Sequence, residues 1–302
     1  MGETDRLTYI VGANYFSEDG SQGVPFSTEE SIYLNCAGVL SDLIPANCIN
    51  PDGSVPLLTP ILAAAVGASF TELPYESTFT NYGDNEVISV FADGTWHIGD
   101  ALELTAGVRY VREERSSGFS ADAPAATILS FLGTPVPLLP GLVDTGGAVV
   151  EASEDFVLPR FNALYRVNDQ LNAYATIAKG RRSEVIDVVA ALDGAGNPVA
   201  DATEVPAEIV WNYEAGVKGS AAENRVTYSA SVFFQDYSDF QVTLQDESGN
   251  FFTDNAGAAE NIGVEGELRV LLGEYTELFG NFAYIDAQID DDSSNGVFAG
   301  NR

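Results

Sequence analysis

The chain of 302 residues carries 13 Lys and Arg against 45 Asp and Glu, a formal net charge of −32. At 45% hydrophobic and 11% aromatic it is too apolar for an acidic disordered chain. So few cations exclude nucleic-acid binding, which needs clustered Lys and Arg to displace the counterions of the phosphates.

In chain order, Met1-Gly2-Glu3-Thr4-Asp5-Arg6 has neither the basic nor the apolar segment of a signal peptide. A period-two pattern over about 6–16 predicts a first strand, followed by a long acidic connection to about residue 85. Inside that connection the longest apolar run, Leu57–Ala68, is interrupted by Pro60 and reads as a short loop helix. It falls well short of the roughly 20 apolar residues of a membrane helix. A strand over about 86–97 and the turn Ile98-Gly99-Asp100-Ala101 lead to the clearest alternation in the chain. There Leu102, Leu104, Ala106, Val108 and Tyr110 oppose Glu103, Thr105, Gly107, Arg109 and Val111.

A long connection over about 115–154 precedes strands at about 154–167 and 170–181, joined by a turn at Asn168-Asp169. After another connection, about 182–208, Trp211, Tyr213, Ala215 and Val217 alternate with Asn212, Glu214, Gly216 and Lys218. Beyond a turn at Ser220–Asn224, the Val226–Phe234 strand repeats the pattern, and a connection over about 241–257 separates it from Ile262–Val270. The turn Leu272-Gly273-Glu274-Tyr275 and a strand over about 275–289 complete the series.

About nine strands therefore emerge, each near the length a tilted strand needs to cross a bilayer. Short turns alternate with long connections, as in an up-and-down barrel with one turn side and one loop side. The interiors of the long connections hold many Asp and Glu and no Lys or Arg, while the apolar faces of the clearest strands hold no charge. Charge on a lipid-facing position costs about 2–4 kcal/mol at the midplane, so that absence predicts contact with outer-membrane lipid. The expected fold is all-β, an antiparallel up-and-down transmembrane β-barrel with long acidic extracellular loops.

Several segments resemble TonB-dependent outer-membrane receptors. Val90–Trp96 followed by Leu104-Thr105-Ala106-Gly107-Val108-Arg109-Tyr110 is similar to a paired-strand motif of that family. Tyr174–Arg182 resembles its Tyr-Ala-x-x-x-Lys-Gly-Phe-Lys strand end, with Arg181 where an aromatic is usual. Tyr213-Glu214-Ala215-Gly216-Val217-Lys218-Gly219 is the most diagnostic match, and Asn255-Ala256-Gly257 with Gly263–Leu268 also fits. The resemblance, from about residue 6 to residue 302, implies a 22-stranded barrel occluded by a plug. It also implies uptake of a scarce small-molecule ligand, such as an iron–siderophore chelate, driven by the TonB–ExbB–ExbD complex. No plug, TonB-contacting segment or terminal aromatic strand is visible in the sequence, so residues 1–302 are expected to be a partial barrel from the C-terminal half of a longer receptor. A passive porin and a secreted soluble all-β binding or structural protein are the alternative readings.

For an exported protein, Cys36 and Cys48 are expected to form a disulfide within the first acidic connection; two free thiols would suit a cytosolic chain. His97 is the single histidine, without a nucleophile motif, and reads as an interfacial polar residue, so no enzyme and no cofactor are expected. Asp291, Ser293, Asn295 and Gly296 imitate half of an EF-hand loop, but Arg302 stands where the closing Glu belongs, so no metal site is expected. Asp193–Asn197 reads as a turn. Polar residues facing the lumen are expected to form mainly a cross-strand ladder of charges that satisfy one another. Ligand contacts are expected near the outer strand ends, at Arg112, Arg115, Lys179, Arg181, Arg182, Gln235 and Tyr237. That basic cluster beneath acidic loops suits an anionic chelate, or equally pairs with the acids and holds the loops.

Overall fold

A computed structural model describes residues 1–139, 147, 149–192, 198–245, 251–273 and 275–290. The strands are β1 (Gly2–Glu3), β2 (Leu7–Glu29), β3 (Pro74–Ile98), β4 (Leu102–Asp122), β5 (Val149–Asn168), β6 (Leu171–Arg182), β7 (Val185–Leu192) and β8 (Pro198–Val205). They continue with β9 (Glu208–Ala221), β10 (Val226–Ser238), β11 (Gln241–Gln245), β12 (Phe251–Asn255), β13 (Ala258–Leu272) and β14 (Thr276–Asp290). Three short helices are α1 (Glu30–Cys36), α2 (Thr59–Ala65) and α3 (Thr127–Phe131).

One ten-stranded antiparallel sheet runs β1-β2-β3-β4-β5-β6-β9-β10-β13-β14, a meander in which each long strand pairs with its predecessor. The hairpins β7–β8 and β11–β12 are separate two-stranded sheets inserted at the loop side. Among the described residues no pairing joins β14 back to β2, so this part of the wall is an open curve. Its short turns use left-handed backbone where the chain reverses: Gly99 at φ 62° and Gly273 at 81°, and Ala222, Glu223 and Asn224 at 51°, 57° and 66°. Glu274 in the last of these turns lies outside the described residues, as do the Asp193–Asn197 turn and the half EF-hand over 291–302.

Register carries one apolar row from strand to strand. Leu7, Trp96, Leu104 and Ala163 are successive partners, and so are Ala13, Val90, Tyr110 and Val157. The row continues through Ile177, Tyr213, Phe234 and Ile262. Large apolar side chains on it stay exposed, including Val108 at 48%, Phe161 at 53% and Val232 at 54%. Hydrophobic surface left open in register over the whole sheet is what a lipid-facing belt requires. Its outer margin is marked by Tyr15 and Tyr110, whose hydroxyls donate to Glu86 and Asp155 over 2.7 Å.

The first four long strands exceed a membrane crossing. β2, β3, β4 and β5 have 23, 25, 21 and 20 residues, about twice the 9–11 a tilted crossing uses. Residues 17–29, 74–85, 115–122 and 149–153, expected as loop, continue the ladder above the belt. The sequence there is polar and glycine-rich with no apolar row, because no lipid selects one; the backbone ladder and packing on the inner face hold it.

Two small cores line that inner face. Leu34, Leu40, Leu58, Ile128 and Leu138 pack on Tyr75, and Val188 packs against Phe119 and Ala121. Tyr75, Phe119 and Ala121 all share the parity opposite the apolar row. The first core is tied by acidic side chains. Glu29 accepts from the Ile32 amide at 3.0 Å and caps α1, and buried Glu30 accepts from the Thr127 and Ile128 amides at 2.8 Å and caps α3. α2 lies within the expected Leu57–Ala68 run. Cys36, ending α1, is bonded to Cys48, their Cα atoms 4.5 Å apart.

Candidate functional site

Opposite the apolar belt, the inner face is a ladder of polar pairs that begins at the turn side. His97 shares it: its ring bonds to Thr8 at 3.1 Å and lies 3.4 Å from Glu103, which also takes Arg166. Strict alternation sends Trp96 outward and His97 inward, so the histidine is a lumen residue rather than the expected interfacial one. Further up, Thr95 meets Thr105 at 2.8 Å and Asp93 binds Arg160 at 2.7 Å. Arg109 lies over the Phe91 ring at 5.0 Å, Tyr174 donates to Glu214, and Lys218 sits 5.3 Å from the Tyr174 ring centroid. These residues satisfy one another, as a cross-strand ladder does.

The densest polar cluster lies at the outer end of the wall. Glu113 of β4 is 3% exposed and directly opposes Glu154 of β5. Arg181, at the end of β6, binds Glu113 and covers the Phe156 ring at 3.9 Å. Arg115 lies 3.5 Å from Glu113 and donates to the Glu184 carbonyl, while Ser183 donates to Glu113 at 2.9 Å. From β11, the Gln241 side-chain amide donates to the carbonyls of Ser183 at 3.0 Å and Pro206 at 2.9 Å. Its backbone N–H donates to Glu208 at 3.0 Å. Burial pushes the carboxyls of Glu154 and Glu184 above the usual range; the charge of Glu184 adds to this at Glu154, and that of Glu204 at Glu184. A cleft of about 350 Å³ beside the cluster separates Glu18, Asn85 and Arg115 of the wall from Val185 and Ile186 of β7.

The seven residues expected to contact a ligand divide by parity. Arg112 pairs with Glu114 at 2.9 Å and stands in the apolar row's parity, above Tyr110. Lys179 follows Ile177 in that parity and pairs with Trp211. Arg115 and Arg181 belong to the Glu113 cluster. Arg181 follows Lys179 in the apolar row's parity and pairs with Ile209 of β9, but it reaches the cluster where the pairing of β5 with β6 has ended, at Arg160 and Ala178. Arg182 is exposed and pairs with Glu208 in the inward parity. Gln235 and Tyr237 also lie inward: Gln235 donates to Asn212 at 3.3 Å and accepts from Asn261 at 3.2 Å and Tyr237 at 3.1 Å.

Sequence reasoning passed over Glu113, Glu154, Ser183, Glu184 and Gln241. The available signal was Glu113 two residues before Arg115 on the same strand face; the long-range partners needed the register. Among the described residues no group of His, Cys, Asp and Glu could hold a metal ion.

An antiparallel wall with a lipid-facing belt, a polar inner ladder and a folded outer rim defines an outer-membrane β-barrel protein. The family model described as "TonB dependent receptor-like, beta-barrel" matches residues 4–302, and the chain belongs to that family. Its members are receptors and transporters rather than enzymes. The chain is 29% identical over 234 residues to the pesticin receptor of Yersinia enterocolitica, covering 76% of this chain and 30% of that protein. The pesticin receptor of Yersinia pestis is matched to the same extent over 239 residues. The chain thus spans about a third of the length of these curated relatives. Among solved structures, the siderophore receptor PiuA from Acinetobacter baumannii aligns with a TM-score of 0.59 at 14% identity, over 100% of this chain and 40% of that one. The ferric yersiniabactin uptake receptor FyuA from Yersinia pestis aligns at 0.51 and 24% identity, over 73% and 30%. Both alignments support the shared barrel fold.

Proposed function

We propose that this chain forms part of the barrel of a receptor that takes up a small metal chelate of the iron–siderophore class across the outer membrane. Energy comes from the TonB–ExbB–ExbD complex, acting through a plug domain that belongs to the longer protein. Family membership and the names of the relatives support this reading, and one observation carries it against a passive porin. Both apolar cores of the outer extension lie on the inner face of the wall, which suits a receptor with folded structure over its lumen better than an open diffusion channel. In this reading the ligand contacts come from the inward groups Arg182, Gln235 and Tyr237, with Asn212 and Asn261 beside Gln235. The acidic exterior disfavours a highly anionic chelate over about a Debye length.

The test is iron uptake by cells lacking their own chelate receptors and expressing the full-length protein, with a panel of radiolabelled ferric chelates. Uptake of one chelate class is expected, lost when TonB is deleted. Uptake that survives TonB deletion returns the porin, and no uptake of any chelate removes this substrate class. Joint Arg182→Ala and Gln235→Ala substitution is expected to raise the half-saturating chelate concentration about tenfold, the loss of roughly 1.4 kcal/mol of polar contact.

A further inference from the structure

The β7–β8 hairpin is joined to the wall at two places of different chemistry. Its body is seated by apolar contact, with Val188 and Ile186 of β7 against Phe119, Ala121 and Phe79 on the inner face. Its two roots are held by polar bonds: Gln241 binds the carbonyls of Ser183 before the hairpin and Pro206 after it. Glu113 takes Ser183 and Arg181, and Arg115 takes the Glu184 carbonyl.

The charges at these roots do not balance. Glu113 and Glu154 face each other directly across β4 and β5, an arrangement that repels when both are ionised. Glu184 is 8% exposed beside them, and Glu204 approaches it from β8. Facing Glu113, Glu154 and Glu184 are the guanidinium groups of Arg115 from β4 and Arg181 from β6, while Glu204 is exposed. Of the further charges on the packed elements, Asp187 of β7, Asp201 of β8 and Asp254 of β12 are exposed, and Glu208 of β9, 9% exposed, accepts from the Gln241 backbone amide and is paired in register with Arg182. One carboxylate oxygen of Glu154, Oε2, is fully buried and accepts no hydrogen bond. A buried lone carboxylate oxygen beside a like charge is the place where a proton relieves both the desolvation and the repulsion.

We infer that the β7–β8 hairpin is a proton-dependent lid, seated on the inner face of the wall when one carboxyl of the Glu154 and Glu184 pair holds a proton and released when that proton leaves. Lifting the hairpin, with the Arg115 bond to the Glu184 carbonyl broken, returns Glu184 to water and removes its charge from Glu154, so the lifted state binds the proton more weakly. Acid therefore favours the seated lid, and rising pH opens it through a window that starts above the ordinary carboxylate range. Each unit by which proton affinity differs between the two states changes the opening equilibrium tenfold.

The experiment is hydrogen–deuterium exchange on the ligand-free, full-length receptor in lipid nanodiscs at about pH 5 and about pH 7.5, corrected for the intrinsic pH dependence of exchange. Peptides covering β7, β8 and the Phe119 segment are expected to exchange about tenfold more slowly at the lower pH, while β9 and β10 remain unchanged. A double Glu154→Gln, Glu184→Gln variant is expected to be slow at both pH values. Equal corrected exchange of the wild-type hairpin at the two pH values overturns the inference, whatever the variant does. So does a variant that assembles and keeps the wild-type pH dependence. Because no ligand is present, the outcome is separate from the question of which chelate is transported.

Discussion

Tyr174 lies across the backbone of Gly216, and a methyl group there would come within 2.8 Å of the ring and 2.7 Å of the Ala230 carbonyl oxygen. Glycine at this position lets the ring reach Glu214 and Lys218 at once. The Tyr-Glu-Ala-Gly-Val-Lys-Gly segment thus has a physical content: its acid, glycine and Lys218 surround one aromatic from the neighbouring strand. Gly216→Ala is expected to cost about 1–3 kcal/mol through overpacking, seen as a lower temperature of heat-induced unfolding of the barrel on gels. Gly266→Ala, where the nearest atom is an ordinary 3.7 Å away, is expected to leave that temperature unchanged.

For the strands, alternation was a sufficient guide wherever lipid sits on one side. The nine long strands of the sheet fall where the period-two runs of the sequence lie, because a bilayer imposes one apolar row and punishes every departure from it. Val108→Arg or Ala230→Arg in the full receptor is expected to impair assembly, at a cost of about 2–4 kcal/mol near the midplane. Thr105→Arg and Ser229→Arg, on the inner parity, are expected to assemble far better; quantifying folded protein in outer-membrane fractions distinguishes them. Above the membrane that constraint ends, and with it the legibility of the sequence. The extensions of β2 to β5 and the two inserted hairpins are held by backbone pairing and local cores that no periodicity announces. The candidate site suffered in the same way: a basic cluster was visible, but parity separates Arg112 and Lys179 from it, and Glu113 claims Arg115 and Arg181.

On the scale of the molecule, the outer part is a second folded layer on the membrane wall. Its first core is closed by the Cys36–Cys48 bond between residues 12 apart, and we expect that bond to form in the oxidising periplasm. Cys36→Ser with Cys48→Ser is expected to weaken this layer by about 3 kcal/mol on a chain-entropy argument, measured as faster cleavage of the 37–58 segment by an acid-specific protease on intact cells, with the wall itself unaffected. The pairing of residues 17–29 with 74–86 also decides how the immune system would meet this surface. An antibody that recognises the exposed rim binds side chains contributed by two distant stretches of chain held edge to edge. An antiserum raised against either stretch as a free peptide learns a shape that the folded receptor does not display.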